Sequence, residues 1–266
     1  MEVRKNKVEA KMRWKFLLQD IKRSFMNMGF AAGFCGLGAL LAYSYLGDSL
    51  HGDPYYAVVN ILAASGFVVF LPVFPVLGYA SRFCGEYESG YYRLILSRMK
   101  PQEYARARII SVALSGGVIV AVPFLLICLV AVYLATPMSV DVGDLRIAGI
   151  NALRVEENTE MVKIGLTYGV GAMVAVKVLL GFLFGAAWAL IGLAFAVWMP
   201  NKYVSLIAPF VLYQSLHILA NKSINPAYLV RGDDVGHLRS IVMECVWLFI
   251  AAAAAMAGFR RRCRDE

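Results

Sequence analysis

The sequence predicts an all-α membrane protein with six transmembrane helices, an N-terminal amphipathic helix and a short cytoplasmic helix between the second and third spans. Of its 266 residues, 60% are hydrophobic and 17% are charged, whereas soluble chains carry about 25% charged residues. The apolar residues gather in runs of about 20, the length that crosses a bilayer as a helix. Six runs occur, at about 29–46, 57–80, 109–134, 176–198, 203–220 and 240–258.

Residues 1–28 precede the first span and are predicted to form a cytoplasmic amphipathic helix. Five apolar residues there repeat at spacings of three and four and fall on one helical stripe: Trp14, Leu18, Ile21, Phe25 and Met28. Lysines lie off that stripe, so the helix suits the membrane interface, with the stripe in lipid and the lysines near anionic headgroups. The alternative, compatible with the first, is that the helix packs on the protein's own cytoplasmic surface.

The distribution of positive charge predicts the orientation. With a cytoplasmic N-terminus, 19 of the 26 Lys and Arg residues lie inside and six lie outside, with Lys177 left within a span. This bias is typical of a plasma-membrane protein with both termini in the cytoplasm. It places segments 136–165 and 221–239 outside the cell, and it leaves open whether 165–176 crosses the membrane. The basic charge thus indicates topology, and a nucleic-acid partner is not expected.

Within the spans, ionisable residues are few. Lys177 and Glu244 lie near the outer ends of their spans, and they are interpreted either as an outer polar pair or an outer polar vestibule, or as anchors without a further function. The sequence has no GxxxxGK[ST] motif for binding ATP and no cluster of Cys and His that indicates a metal. No catalytic cluster is visible, so an enzyme is not predicted.

The longest polar stretch in the first half of the chain lies between spans two and three, at 82–104. As one helix it would carry Glu86, Gly90, Arg93 and Ser97 on one face and an apolar set, with Tyr87, Tyr91 and Leu94, on another. Gly90 would cost about 1 kcal/mol in mid-helix, so a close backbone approach or a local break is the alternative there. Pro101 suits the first turn of a new helix. This pattern favours docking of a soluble partner.

The stretch "EYESGYYRLILSRMKPQEYARAR" resembles the cytoplasmic coupling segment of type-2 ABC exporter permeases. The matching residues are Glu86, Glu88, Gly90, Leu96, Ser97, Arg106 and Arg108. The family's proline two residues after the serine is absent, since Met99 stands there. The N-terminal helix, the six spans and the external insertion before span four also resemble this family, so the likeness implies a six-span permease domain over 29–266.

The resemblance implies a transmembrane permease subunit of an exporter. The spans have many aromatic residues and methionines but few charges, which favours a hydrophobic or amphipathic peptide or drug-like compound as cargo. A separate ABC ATPase subunit would bind ATP and Mg²⁺, and a second permease chain, identical or related, would complete the pathway. In this interpretation Glu86, Glu88 and Arg93 fix the register of the ATPase, while Tyr87, Tyr91 and Leu94 form its apolar foothold. Because the segment lies outside the spans, replacing Glu86 or Glu88 is expected to leave folding intact.

Two hypotheses from other classes remain open. One is an ATP-independent carrier or channel, which is expected to show charged residues near mid-membrane or inverted repeats. The other is a membrane sensor that transports nothing. Association with an ABC ATPase would distinguish the permease from both.

Overall fold

The computed structural model describes residues 2–47, 58, 67–96, 99–134, 164–165, 167–232 and 236–265. These residues form helices and turns, and no strand occurs among them. In chain order the helices are α1 (Glu2–Phe25), α2 (Met28–Gly47), α3 (Val73–Leu77), α4 (Ala80–Glu88), α5 (Tyr91–Leu96), α6 (Pro101–Leu134), α7 (Val170–Trp198), α8 (Lys202–Leu219), α9 (Pro226–Leu229) and α10 (His237–Asp265).

Five helical segments in the described part of the chain are long and apolar enough to cross a membrane, which indicates a membrane protein. They are Met28–Leu46, Val68–Glu88, Pro101–Tyr133, Val170–Trp198 and His237–Arg262. The sequence predicted six spans. The predicted run 203–220 does form α8, but this helix is not among the five. Lys202, Gln214 and His217 make it less apolar than the others.

The second segment is broken, as its two prolines predict. A 3₁₀ turn at Phe67–Phe70 leads to α3, and α4 follows after a further turn at Gly78 and Tyr79. Pro72 precedes α3 and Pro75 lies within it, where a missing N–H and the fixed φ of proline disfavour a continuous helix. The segment runs to Glu88, later in the chain than the predicted 57–80. The first part of that prediction lies outside the described residues, apart from Val58.

The long helices extend beyond the predicted spans. α6 begins at Pro101 as predicted, and its 34 residues reach about 51 Å, longer than the roughly 30 Å hydrocarbon core. α7 begins at Val170, so most of the stretch 165–176 continues the helix that follows it. Of the predicted external segments, 136–163 lies outside the described residues, whereas 221–239 contains α9, whose N-cap is the buried Asn225.

The core lies between α6 and α7. A Cβ added at Gly116 of α6 would collide with the Cβ of Ala189 and lie 2.7 Å from the carbonyl oxygen of Gly185, both on α7. The two backbones therefore touch, as small residues permit in membrane helices. Around them, the ring of Trp188 on α7 packs edge-on against Tyr213 of α8, with 5.2 Å between ring centroids.

Side chains of α8 hold the broken second segment in place. The hydroxyl of Tyr213 donates to the carbonyl oxygen of Val68 at 2.9 Å, and Nε2 of Gln214 donates to that of Val69 at 2.7 Å. These carbonyls flank a break, where the regular helical bonding pattern ends. Side chains of the neighbouring helix α8 thus provide hydrogen bonds to the carbonyl groups at the break in the second segment.

Candidate functional site at the α4–α5 segment

The predicted cytoplasmic segment folds as two short helices. α4 ends at Glu88, α5 begins at Tyr91, and Gly90 lies between them with φ of +70°. This left-handed backbone suits glycine and strains other residues. The Ser89 hydroxyl closes α4 by donating to the carbonyl oxygen of Glu86 at 3.1 Å. The prediction of one continuous helix is therefore wrong, and the alternative of a local break at Gly90 is confirmed.

A cluster of four charged side chains packs behind α4, and we call it the polar junction: Asp20, Arg82, Glu86 and Arg108. Arg108 of α6 is 1% exposed, and its guanidinium donates to Oδ1 of Asp20 on α1 at 2.5 Å and to Oε2 of Glu86 on α4. Oε1 of Glu86 pairs with Nε of Arg82 at 3.2 Å. Two acids and two bases balance in formal charge, which offsets part of the cost of burial. Oδ2 of Asp20 has no hydrogen-bond partner among the described residues.

Two tyrosines fix the Arg108 guanidinium. Nε donates to the Tyr104 hydroxyl at 3.0 Å. The guanidinium carbon lies 5.0 Å from the centre of the Tyr104 ring and 5.4 Å from that of Tyr79. Cation–π contacts of this kind are strongest where water is excluded. Arg108 is therefore held by charge, hydrogen bonds and aromatic faces together, in one orientation between α1, α4 and α6.

Three further residues of the segment contact other helices. The Tyr91 hydroxyl accepts from Arg23 of α1 at 2.8 Å, and the Arg262 guanidinium of α10 lies 4.3 Å from the centre of the Tyr87 ring. Glu88 accepts from Lys202 at the start of α8, at 2.9 Å. Together with Glu86, these residues connect α4 and α5 to four other helices.

The two glutamates that the sequence treats alike occupy different environments. Glu86 is 12% exposed and lies in the polar junction, whereas Glu88 is 54% exposed. The expectation that Glu86 can be replaced without disturbing packing is therefore wrong, because its carboxylate balances the buried Arg108. Among the other predicted coupling residues, Tyr87 and Tyr91 are half-buried and Leu94 is exposed. The Arg93 side chain and Ser97 lie outside the described residues.

The N-terminal helix packs on the protein through a side adjacent to its predicted stripe. Asp20 and Ser24 of α1 are buried, and Asp20 pairs with α6. Within the stripe, Trp14 and Leu18 are exposed, while Ile21 and Phe25 are half-buried. Packing on the protein thus holds for α1, and the exposed end of the stripe leaves an apolar surface beside it.

The predicted outer pair is not formed. Lys177 on α7 and Glu244 on α10 are both fully buried, and no ion pair joins these two described side chains. Nζ of Lys177 donates instead to the main-chain carbonyl of Arg231 at 2.6 Å. Both carboxylate oxygens of Glu244 are without a hydrogen-bond partner. Both groups are buried, so neither side chain reaches the surface as snorkelling would require.

The polar junction is not visible as a cluster in the sequence. Arg108 resembles a family pattern only as a basic residue, and Asp20 is one acid within a basic helix. One local signal was present, because Tyr104, Arg108, Ser111 and Ser115 recur at helical spacing on the buried side of α6. A polar stripe inside an apolar helix indicates a buried polar contact, although it does not identify the partner.

No protein-family model, curated protein or solved structure matches this chain. Among the described residues, no group of three or more His, Cys, Asp or Glu side chains is arranged to hold a metal ion.

Proposed function

We propose that the chain is the transmembrane permease subunit of an ATP-driven type-2 ABC exporter and that a separate ATPase subunit binds the α4–α5 segment. One observation carries this proposal: four residues within a six-residue stretch each contact a different helix. Glu86 contacts α6, Tyr87 contacts α10, Glu88 contacts α8 and Tyr91 contacts α1. A force applied to this segment is therefore passed to four helices at once, as coupling to ATP hydrolysis requires.

The exposed side of the segment is the ATPase contact in this proposal. Leu94 of α5 is 63% exposed and offers an apolar foothold, and the half-exposed Glu88 offers a charge that fixes register. Glu86, Tyr87 and Tyr91 point to internal partners and transmit the movement. ATP and Mg²⁺ would bind to the partner, because the sequence lacks a phosphate-binding loop of its own.

We include α8 as a sixth crossing. Its 18 residues reach about 27 Å, close to the thickness of the hydrocarbon core, and Ile207 and Val211 are exposed on it as lipid-facing residues would be. Six crossings place both termini on one side, and the basic charge assigns that side to the cytoplasm of a plasma-membrane protein. Two permease chains and two ATPase chains form the working unit, whose total mass in mild detergent tests the assembly. A stable, active monomer without an ATPase would contradict it.

The cargo in this proposal is a hydrophobic or amphipathic peptide or drug-like compound. Within the five apolar segments the charged residues are sparse, and the mean hydropathy of the chain is +0.64. Apolar and aromatic surfaces suit a ligand taken partly from the membrane. A large polar glycan would need hydrogen-bonding groups that these segments supply in small number.

The sharpest test replaces Leu94 with alanine. The tagged full chain is purified from its source cells, and both co-purification of an ABC ATPase and ATP hydrolysis in proteoliposomes are measured. We expect Leu94→Ala to weaken ATPase association without lowering the melting temperature, because the side chain is exposed. Leu219→Ala is the matched control, since Leu219 is 83% exposed at the far end of α8. Equal ATPase association in the two variants would refute docking at α5.

A second candidate function is an ATP-independent carrier, and the buried carboxylate of Glu244 favours it. Intramembrane carboxylates without a partner occur in proton- and cation-coupled transporters. Proteoliposomes of the chain alone, given a pH gradient and no ATP, distinguish the two functions. Cargo movement that depends on the gradient and is abolished by Glu244→Gln would support the carrier, and its absence would favour the ATP-driven permease.

A further inference from the structure

A basic basin lies between the start of α6 and the end of α10. It encloses about 920 Å³, and four exposed cations line it: Lys100, Arg106, Arg260 and Arg264. No ion pair engages any of these four among the described residues. One acid, Glu103, is the only acidic side chain among the described residues of the lining. Four converging cations with a single acid attract an anion.

The neighbouring arginines of α10 show that this arrangement is selective. The guanidinium carbon of Arg261 lies 5.3 Å from the centre of the Trp198 ring. Arg262 lies over the Tyr87 ring and donates to the main-chain carbonyl of Val197. Arg260 and Arg264, four residues apart, share the other side of the helix and face the basin. At the end of α10, Arg261 and Arg262 thus contact other side chains of the protein, whereas Arg260 and Arg264 are available to bind a ligand.

An apolar groove continues from the basin along α10. It encloses about 680 Å³ and shares Met256, Arg260 and Arg264 with the basin. Phe249, the small residues Ala252, Ala253 and Ala257, and Arg261 at the basic end complete its lining. From Arg260 to Phe249 the groove runs roughly 16 Å along the helix. Arg106, which lines the basin, also borders a smaller groove of about 260 Å³. Trp14, Leu17 and Ile110 line that smaller groove.

We propose that the basin and the groove along α10 together bind one anionic phospholipid. The phosphate headgroup lies among Arg106, Arg260 and Arg264, and an acyl chain lies along Met256 and Phe249. Basic pockets between membrane helices on the cytoplasmic side recognise anionic lipid headgroups in this way. A soluble phosphate would fill only the basin, and an acidic protein surface would leave the apolar groove empty. The continuity of charge with an apolar groove on a membrane-spanning helix selects a lipid.

This inference is independent of the proposed transport function, because it requires only that α6 and α10 lie in a membrane. The test uses the full chain in an uncharged detergent and native mass spectrometry to measure retention of phosphatidylglycerol and phosphatidylcholine. We expect the wild type to prefer phosphatidylglycerol. The double variant Arg260→Gln with Arg264→Gln should bind it about thirtyfold more weakly, as expected for removing two basic residues that each attract an anionic headgroup.

Lys222→Gln with Arg239→Gln is the matched control. It removes the same charge from exposed positions before and at the start of α10, so its affinity for phosphatidylglycerol should equal that of the wild type. Melting temperatures of all variants establish that they are folded. Equal retention of both lipids by the wild type, or an unchanged affinity in the Arg260 and Arg264 double variant, would overturn the proposal.

A second variant tests the acyl-chain groove and separates a lipid from a free anion. Ala253→Phe with Ala257→Phe fills the groove from two exposed positions. It should abolish retention of phosphatidylglycerol while leaving inorganic phosphate bound in the basin. If the filled groove retains the lipid, the basin binds a headgroup alone and the proposal fails. It also fails if a purified acidic ATPase subunit requires Arg260 and Arg264 while no lipid preference is found.

Discussion

Arg108 is the residue on which the polar junction depends. Replacing it with methionine leaves the buried Asp20 as an uncompensated carboxylate and removes one of the two arginine partners of Glu86. Breaking a buried ion pair in this way typically destabilises a protein by about 3–5 kcal/mol. We therefore expect Arg108→Met to lower the melting temperature sharply in detergent, measured by tryptophan fluorescence. The wild-type side chain is 1% exposed, so solvent screening does not relieve the charge.

Two controls accompany this prediction. Combining Arg108→Met with Asp20→Asn and Glu86→Gln removes every charge that Arg108 balances directly, and it should recover much of the lost stability. Lys202→Met breaks the half-exposed pair with Glu88 and should leave the melting temperature unchanged, since exposed ion pairs contribute little. If Arg108→Met melted like Lys202→Met, the junction would not be a stabilising cluster.

Glu244 leads to the opposite expectation. Its carboxylate is fully buried and neither oxygen has a hydrogen-bond partner, so a charge there is costly. Glu244→Gln keeps the shape and removes the charge, and the melting temperature should stay the same or rise. Ser240 lies on the same side of α10, and its hydroxyl also has no hydrogen-bond partner. The melting temperature of Ser240→Ala is the comparison. A large loss of stability on Glu244→Gln alone would show that the carboxylate is paired.

At the scale of elements, Gly90 sets the angle between α4 and α5. Its φ of +70° costs an alanine about 1–2 kcal/mol, so Gly90→Ala should destabilise the segment and weaken ATPase stimulation. Gly85→Ala is the control, because Gly85 lies inside α4 and a Cβ there meets nothing within 4 Å. That variant should be neutral or slightly stabilising. Melting temperature and ATP hydrolysis are measured for both, and equal effects would exclude a hinge at Gly90.

The apolar runs of the sequence indicate the positions of the helices more accurately than they indicate the helix ends. The run 109–134 became α6, which starts eight residues earlier at Pro101, and the run 240–258 became α10, which continues to Asp265. Hydropathy records the length that lipid covers, whereas a helix ends where its caps and prolines end it. The parts of α6 and α10 outside the predicted runs line the basin, and the start of α6 also supplies Arg108 to the polar junction.

The coupling residues could be predicted as a group but not in their separate environments. Glu86 and Glu88 differ because Arg108 lies 22 residues beyond Glu86 in the chain and bonds it, and because Asp20, 88 residues from Arg108, completes the cluster. The pattern of residues within 82–104 does not indicate these contacts, because Asp20 and Arg108 lie outside that segment. Local pattern gave the residue types, and long-range packing decided which of the two glutamates is buried.

For the whole molecule, the distribution of Lys and Arg predicts opposite sides for α5 and the turn before α9. Leu94→Cys and Lys222→Cys, each in a cysteine-free background, place one exposed thiol in each region. We expect an impermeant thiol reagent to label position 222 but not position 94 in intact cells, and both after lysis. Labelling of position 94 in intact cells would reverse the orientation. The native Cys84 does not serve this purpose, because it is fully buried.

The contact between α6 and α7 determines which parts of the molecule are able to move. At Gly116 and Gly185 backbone lies against backbone, so there are few side chains between the two helices that could change rotamer and let them slide. We expect α6 and α7 to stay fixed relative to each other, while α1, α4, α8 and α10 shift around them. Arg108 belongs to this fixed pair of helices. Its guanidinium then serves as the fixed contact about which α1 and α4 rotate.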